Sequence, residues 1–131
     1  MKTLQELIQT ADWKNEKHAP VFDLPEKVKK GEKVMITVSV GKEIPHPNTT
    51  EHHIEYIEVF FLPEGMKNPL HVGRFEFSAH GASIEGPNTS TVYAEPVVSF
   101  AFKTEKPGTF YAFSFCNIHG LWGGTAELKV E

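Results

Sequence analysis

Val34-Met35-Ile36-Thr37-Val38-Ser39-Val40 sets apolar residues against Met35, Thr37 and Ser39 at a period of two. Neighbouring side chains of a strand point to opposite faces, so this is the pattern of a strand with one face in a core. The same grammar runs downstream. Residues 54–62 form a second long run, almost continuously apolar towards its end and bounded by Pro63-Glu64-Gly65. Residues 70–79 end in alternation, with Phe75, Phe77 and Ala79 against Arg74, Glu76 and Ser78. Residues 97–102, 109–115 and 124–130 complete the set, and 91–94 is a further candidate. Glu64-Gly65, Gly86-Pro87-Asn88, Lys106-Pro107-Gly108 and Gly123-Gly124 supply turn signals between the runs. Short strands without intervening helices predict an all-β fold, an immunoglobulin-like antiparallel β-sandwich of about seven strands.

Upstream of the first strand, Leu4, Leu7 and Ile8 recur at helical spacing, which predicts a short N-terminal helical segment over residues 3–11 that docks on the sandwich. Residues 12–20 are polar and irregular, and Pro20 biases Ala19 to an extended conformation. Abundant phenylalanine suits a β-rich core.

Bulk properties narrow the function. The 131 residues read as one domain, 1–131. A chain of this size buries roughly two-thirds of its unfolded surface, enough for a core without disulfides. Cys116 is the single cysteine. An intramolecular disulfide, a four-cysteine metal centre and a Cys-x-x-Cys redox motif are thereby excluded, and a reducing cytoplasm fits. The N-terminus lacks the apolar core of a signal peptide, and no run is long enough to span a membrane. A net charge of −4 gives no global basic footprint for nucleic acid. Seven histidines in so short a chain are the compositional hint of a metal site.

The chemistry gathers around Ser114-Phe115-Cys116-Asn117-Ile118-His119-Gly120. A Cys-x-x-His pair at the end of a strand puts a thiolate and an imidazole on one short loop. Alone it is weak evidence for a metal. Glu16-Lys17-His18 and His46-Pro47-Asn48-Thr49-Thr50-Glu51-His52 supply further donors, each in a loop or at a strand edge where a scaffold can collect distant residues. The candidate ligands are therefore His18, His46, His52, His119 and Cys116, with Glu16 as a possible sixth. Imidazole and thiolate together suit zinc, copper or iron. Zinc prefers four ligands in a tetrahedron. Four imidazoles and one thiolate suggest instead a square plane with an axial sulfur and an open sixth position, an iron-like arrangement. Pro45 and Pro47 stiffen the backbone around His46. The amides of Asn117, Ile118 and His119 follow Cys116 in a tight turn, so some should point at its sulfur and tune it.

Three motifs, Glu16-Lys17-His18-Ala19-Pro20, His46-Pro47-Asn48-Thr49-Thr50-Glu51-His52-His53-Ile54 and Cys116-Asn117-Ile118-His119-Gly120, resemble those of the superoxide reductases, the neelaredoxin and desulfoferrodoxin family. The resemblance covers almost the whole chain, and the lack of other cysteines matches the one-iron class. It implies one iron ion (Fe2+/Fe3+) per chain, held equatorially by His18, His46 and His52 through Nε2 and by His119 through Nδ1, with Cys116 axial. It implies that Glu16 closes the sixth position in the ferric state and that Lys17 stands beside the open face in the ferrous state. The implied oxidoreductase activity is one-electron reduction of superoxide to hydrogen peroxide without production of oxygen. Rubredoxin is implied as a usual electron donor, and a homotetramer as the assembly.

Lys17 answers an electrostatic difficulty, since the substrate is an anion and the protein is net negative. A lysine about 4 Å from the bound oxygen contributes roughly 1 kcal/mol in bulk water and roughly 4 kcal/mol at an effective dielectric of about 20. Local charge at a rim thus outweighs a remote, screened net charge.

Other residues read as bland. Neighbouring side chains at a strand start face opposite sides, so at most one of His52 and His53 points at the site, and His53 reads as structural or as a chain-chain contact. His71 and His80 fit surface or hydrogen-bonded core roles. Trp13 and Trp122 read as packing residues near the site, and Glu43 and Glu51 as surface charge. The main rival is a blue-copper-like electron-transfer β-sandwich. Such a protein usually needs a methionine shortly after the late histidine, whereas the methionines here are Met1, Met35 and Met66. A purely structural or adhesive immunoglobulin-like domain would explain the strands but not the histidine-cysteine set.

Overall fold

The computed structural model describes residues 1–131. One helical turn, α1 (Leu4–Leu7), precedes eight strands: β1 (Pro20–Asp23), β2 (Lys27–Val28), β3 (Val34–Val40), β4 (Ile54–Pro63), β5 (Leu70–Glu76), β6 (Val97–Phe102), β7 (Gly108–Cys116) and β8 (Gly120–Val130). They form two sheets, one ordered β1-β3-β6 and the other β2-β8-β7-β4-β5. The predicted β-sandwich is therefore present.

The period-two reading of β3 holds, with Ile36, Val38 and Val40 buried and Met35 exposed. Across the sandwich, β4 turns Ile57, Val59 and Phe61 inward, and β7 turns Phe110, Ala112, Ser114 and Cys116 inward. Phe110 is the hub. Its ring lies 4.7 Å from Phe61, 4.9 Å from Phe102 and 5.2 Å from Phe22, so the neighbouring strand and two strands of the opposing sheet converge on it. Burial of one such ring contributes on the order of 1.5–3 kcal/mol, and each well-placed aromatic pair adds about 0.5–1.5 kcal/mol.

The structure departs from the sequence reading at four places. Residues 20–23 and 27–28 are strands, each too short to display a period. The pairing is antiparallel throughout except for β2, which runs parallel to the end of β8. The helical segment is confined to one turn, capped by the Thr3 side chain, which accepts from the Glu6 amide. Gly123-Gly124 is not a turn but the interior of β8, paired with Phe113 and Ala112. A Cβ on Gly124 would stand 2.4 Å from the Pro20 carbonyl oxygen, so the glycine is there to admit the backbone of the other sheet.

The strand ladders fix which residues share a rim. Pro20 pairs with Val40, Ile54 with Cys116, and Cys116 with Gly120. The start of β1, the β3–β4 loop and the β7–β8 turn therefore open at one end of the sandwich. No helix is long and apolar enough to cross a membrane.

Candidate metal centre

That rim carries every candidate imidazole. His18 immediately precedes β1, His46 and His52 lie in the β3–β4 loop, and His119 lies in the β7–β8 turn. Their rings form a closed square. Centroid separations are 4.7 Å for His18–His46, 4.9 Å for His46–His52, 5.0 Å for His52–His119 and 4.9 Å for His119–His18. Donor atoms of His18, His52, Cys116 and His119 all lie within 4.8 Å of one another. His46 completes the square opposite His119.

Hydrogen bonds on the outer edges determine which nitrogens face inward. His18 Nδ1 meets Glu16 Oε1 at 2.6 Å, leaving Nε2 free to face His119 Nδ1 at 3.2 Å. His46 Nδ1 is bonded to the Pro47 carbonyl at 2.6 Å. His46 Nε2 and His52 Nε2 are then buried without any partner. Buried polar atoms are nearly always satisfied, and two orphaned ring nitrogens at one point mark a missing electron-pair acceptor. The fully buried Cys116 Sγ joins them, accepting from the His119 amide at 3.3 Å and lying 3.9 Å from His119 Nδ1. Of the amides expected to reach the sulfur, that of Asn117 is instead turned to the His53 carbonyl at 3.2 Å. A set of imidazole nitrogens with one thiol, orphaned and converging, fits a metal ion.

Electrostatics keep His46 and His52 in a form able to bind a metal. Burial lowers the pKa of His46 to about 4, and the charges of His18, His52 and Lys17 press the same way against the Pro47 hydrogen bond. The pKa of His52 is lowered by burial and then by His119, His18 and Lys17. Both imidazoles are thus neutral, with a lone pair to offer. The Lys17 charge acts on both imidazoles in the same direction. Burial works to raise the pKa of Glu16, but hydrogen bonds from the His18 side chain and amide outweigh it and hold the carboxyl below its usual range. Its carboxylate thus sits on the outer Nδ1 edge of His18, not at the centre of the square.

The whole domain supports these ligands. Trp122 stacks on His18 at 4.8 Å, and its Nε1–H donates to the His119 carbonyl, as does Gln9 Nε2–H. The buried Ser114 hydroxyl donates to the His18 carbonyl at 2.9 Å. Asn48, Thr50 and Glu51 of the β3–β4 loop are gripped by His80 and Asn88.

The model of the Desulfoferrodoxin family matches residues 10–125. The chain belongs to the desulfoferrodoxin family. Among proteins of this family, the superoxide reductase of Pyrococcus furiosus is 57% identical over 96% of this chain and 99% of its own. Neelaredoxin of Megalodesulfovibrio gigas is 52% identical over 96% of this chain and 97% of its own. The reduced superoxide reductase (neelaredoxin) of Archaeoglobus fulgidus superposes with a TM-score of 0.88 at 63% identity, covering 94% of this chain and 98% of that one.

Membership of the desulfoferrodoxin family removes the blue-copper reading, which also leaves two of the four clustered histidines idle. Met1, Met35 and Met66 are all exposed. The histidines read as bland are accounted for within this family member. His53 stacks face to face on His80 at 3.6 Å, and His80 is buried with both ring nitrogens bonded, to Asn48 Oδ1 and the Phe77 carbonyl. His71 is exposed and pairs with Glu58. Trp13 is half-buried, with Lys14 and Lys42 standing over its ring. The sequence reading missed Gln9, Asn48, Ser114, Asn88 and the side-chain role of Asn117. Only Asn88 left a local signal, the Gly86-Pro87-Asn88 turn, where it takes a φ of 57°.

Proposed function

We propose that this protein is a superoxide reductase whose His18, His46, His52, His119 and Cys116 hold one iron ion. The observation that carries this reading is the pair of buried, unpartnered Nε2 atoms of His46 and His52 facing the His18–His119 pair above a buried thiol. Iron so held would supply one-electron redox chemistry, reducing superoxide and being restored by an external donor. With two protons, superoxide then becomes hydrogen peroxide, and no oxygen is made.

The chain's own residues shape the rest. His119 is exposed, so the square has a solvent side through which a small anion enters. Lys17 attracts that anion and stabilises negative charge on the oxygen, in a place where water competes less than in bulk. It also orders the water that delivers protons. Glu16 has two positions in this proposal. On His18 Nδ1 it fixes the ring tautomer and raises the basicity of Nε2. Released from that bond, its carboxylate would be available as a further oxygen donor to the oxidised metal. The His119 amide tunes the Cys116 sulfur.

Rubredoxin or a similar small carrier serves as donor, residues 1–131 act as one domain around a single core cluster, and the working form is a cytoplasmic homotetramer. Metal analysis of purified protein tests the first step: iron is expected, while copper or no metal rejects it. Superoxide loss with a reductant present, followed together with oxygen, tests the second. Stoichiometric oxygen release would make the protein a dismutase instead.

A further inference from the structure

Asn117 stands where β7 ends and the chain turns away from β4. The ladder closes at Ile54–Cys116, and one residue later no strand remains to continue it. The Asn117 side chain continues it instead. Its Oδ1 accepts from the His53 amide at 2.9 Å, and its Nδ2–H donates to the Glu51 carbonyl at 2.9 Å. These are the two peptide groups that flank His52. His52 lies in a bend that its own amide closes onto the Thr49 carbonyl, and the primary amide of Asn117 clamps that bend from both sides of His52. The main-chain amide of Asn117 adds a third bond, to the His53 carbonyl at 3.2 Å.

The consequence is geometric. Cys116 is covalently next to Asn117, and His52 is held between its two hydrogen-bond partners. The side chain thereby ties the thiol to an imidazole donated by a different loop. On the opposite side that loop is held by Asn88, which accepts from the Thr50 amide and donates to Glu51. Asn117 is the tie that runs directly from the sulfur-bearing residue.

We propose that Asn117 is a positioning residue that sets where Cys116 and His52 stand relative to each other, and hence how tightly the iron is gripped. This rests on the metal-centre reading above. Groups that orient ligands from outside typically govern tenfold to hundredfold of metal affinity.

The test uses the full chain as Asn117→Ala, Asn117→Asp and Leu128→Ala. Leu128 is a buried core residue at the far end of the β7–β8 ladder and controls for lost stability. Each protein is loaded with ferrous iron. Iron release to a chelator, the thiolate-to-iron charge-transfer band of the oxidised form, and urea stability are then measured. Asn117→Ala is expected to release iron tenfold to hundredfold faster and to shift the band. Asn117→Asp keeps the acceptor for His53 but loses the donor to Glu51. It should change both readouts in the same direction by less, and it carries the test should Asn117→Ala fail to fold. Leu128→Ala should lose stability with its band unmoved. A native band and release rate in the Asn117 variants, or an equal change in Leu128→Ala, overturns this assignment alone. A wild-type protein that takes up no iron overturns the metal-centre reading and this assignment with it.

Discussion

His18 Nε2 lies 3.2 Å from His119 Nδ1, although 101 positions of sequence separate the two residues. Two ring nitrogens at that distance, each with its outer edge committed or exposed, face a common point. Removal of one member of the square should therefore do more than remove one donor.

His52→Ala is expected to lose stoichiometric iron while keeping the fold. The remaining donors can still gather, but the set that closes around the ion is broken. Metal content by elemental analysis alongside circular dichroism checks this. Full iron content in the variant would exclude His52 as a ligand.

Glu16→Gln keeps the shape at the Nδ1 edge of His18 but replaces a carboxylate by a neutral amide. The charge-assisted hydrogen bond at 2.6 Å is weakened, and the carboxylate charge proposed to serve the oxidised metal is gone. The oxidised spectrum is expected to change, and its pH dependence to move, while the reduced form retains its iron. Identical oxidised spectra would remove Glu16 from the site.

Lys17→Ala should slow superoxide capture, most visibly at low ionic strength where screening is weakest. Pulse radiolysis at several salt concentrations measures the bimolecular rate. An unchanged rate at low salt would deny Lys17 this role.

The metal-free protein should be acid-sensitive in a defined window. His46 has its folded pKa depressed to about 4 from an ordinary value of 6.5, and that of His52 is also lowered. Between those limits the unfolded chain binds more protons than the folded one. Stability is then fully present above pH 6.5 and is lost as pH falls through about 4. Thermal melts of the metal-free protein across this range should show the loss, and His46→Gln should flatten it.

Gly124→Ala should destabilise the domain by about 1–3 kcal/mol, as overpacking does, because its Cβ would meet the Pro20 carbonyl. His18 precedes that strand by two residues, so the variant should also weaken iron retention. Urea unfolding that matches the wild type would show that the two sheets can separate locally without penalty.

The amino-acid sequence by itself determined the strands whose inward residues repeat often enough to read, such as Ile36, Val38 and Val40. It also named the candidate donors that the structure gathers at one rim, because few residue types can hold a metal of this kind and Cys116 has no rival. It was silent on β1 and β2, since two to four residues display no period, and it misread Gly123-Gly124 because a glycine needed for close approach looks like one needed for a turn. Tertiary structure alone decided that Glu16 rests on the outer edge of His18 and that His53 stacks on His80. It alone decided that Asn48, Asn88, Ser114 and Asn117 hold the ligand loops. The physical reason is range. Periodicity and ligand chemistry are properties of a residue and its neighbours in the chain. A hydrogen bond between Ser114 and His18 exists only after the two sheets have packed, and one between Asn117 and Glu51 only after β4 and β7 have paired and brought their ends to one rim.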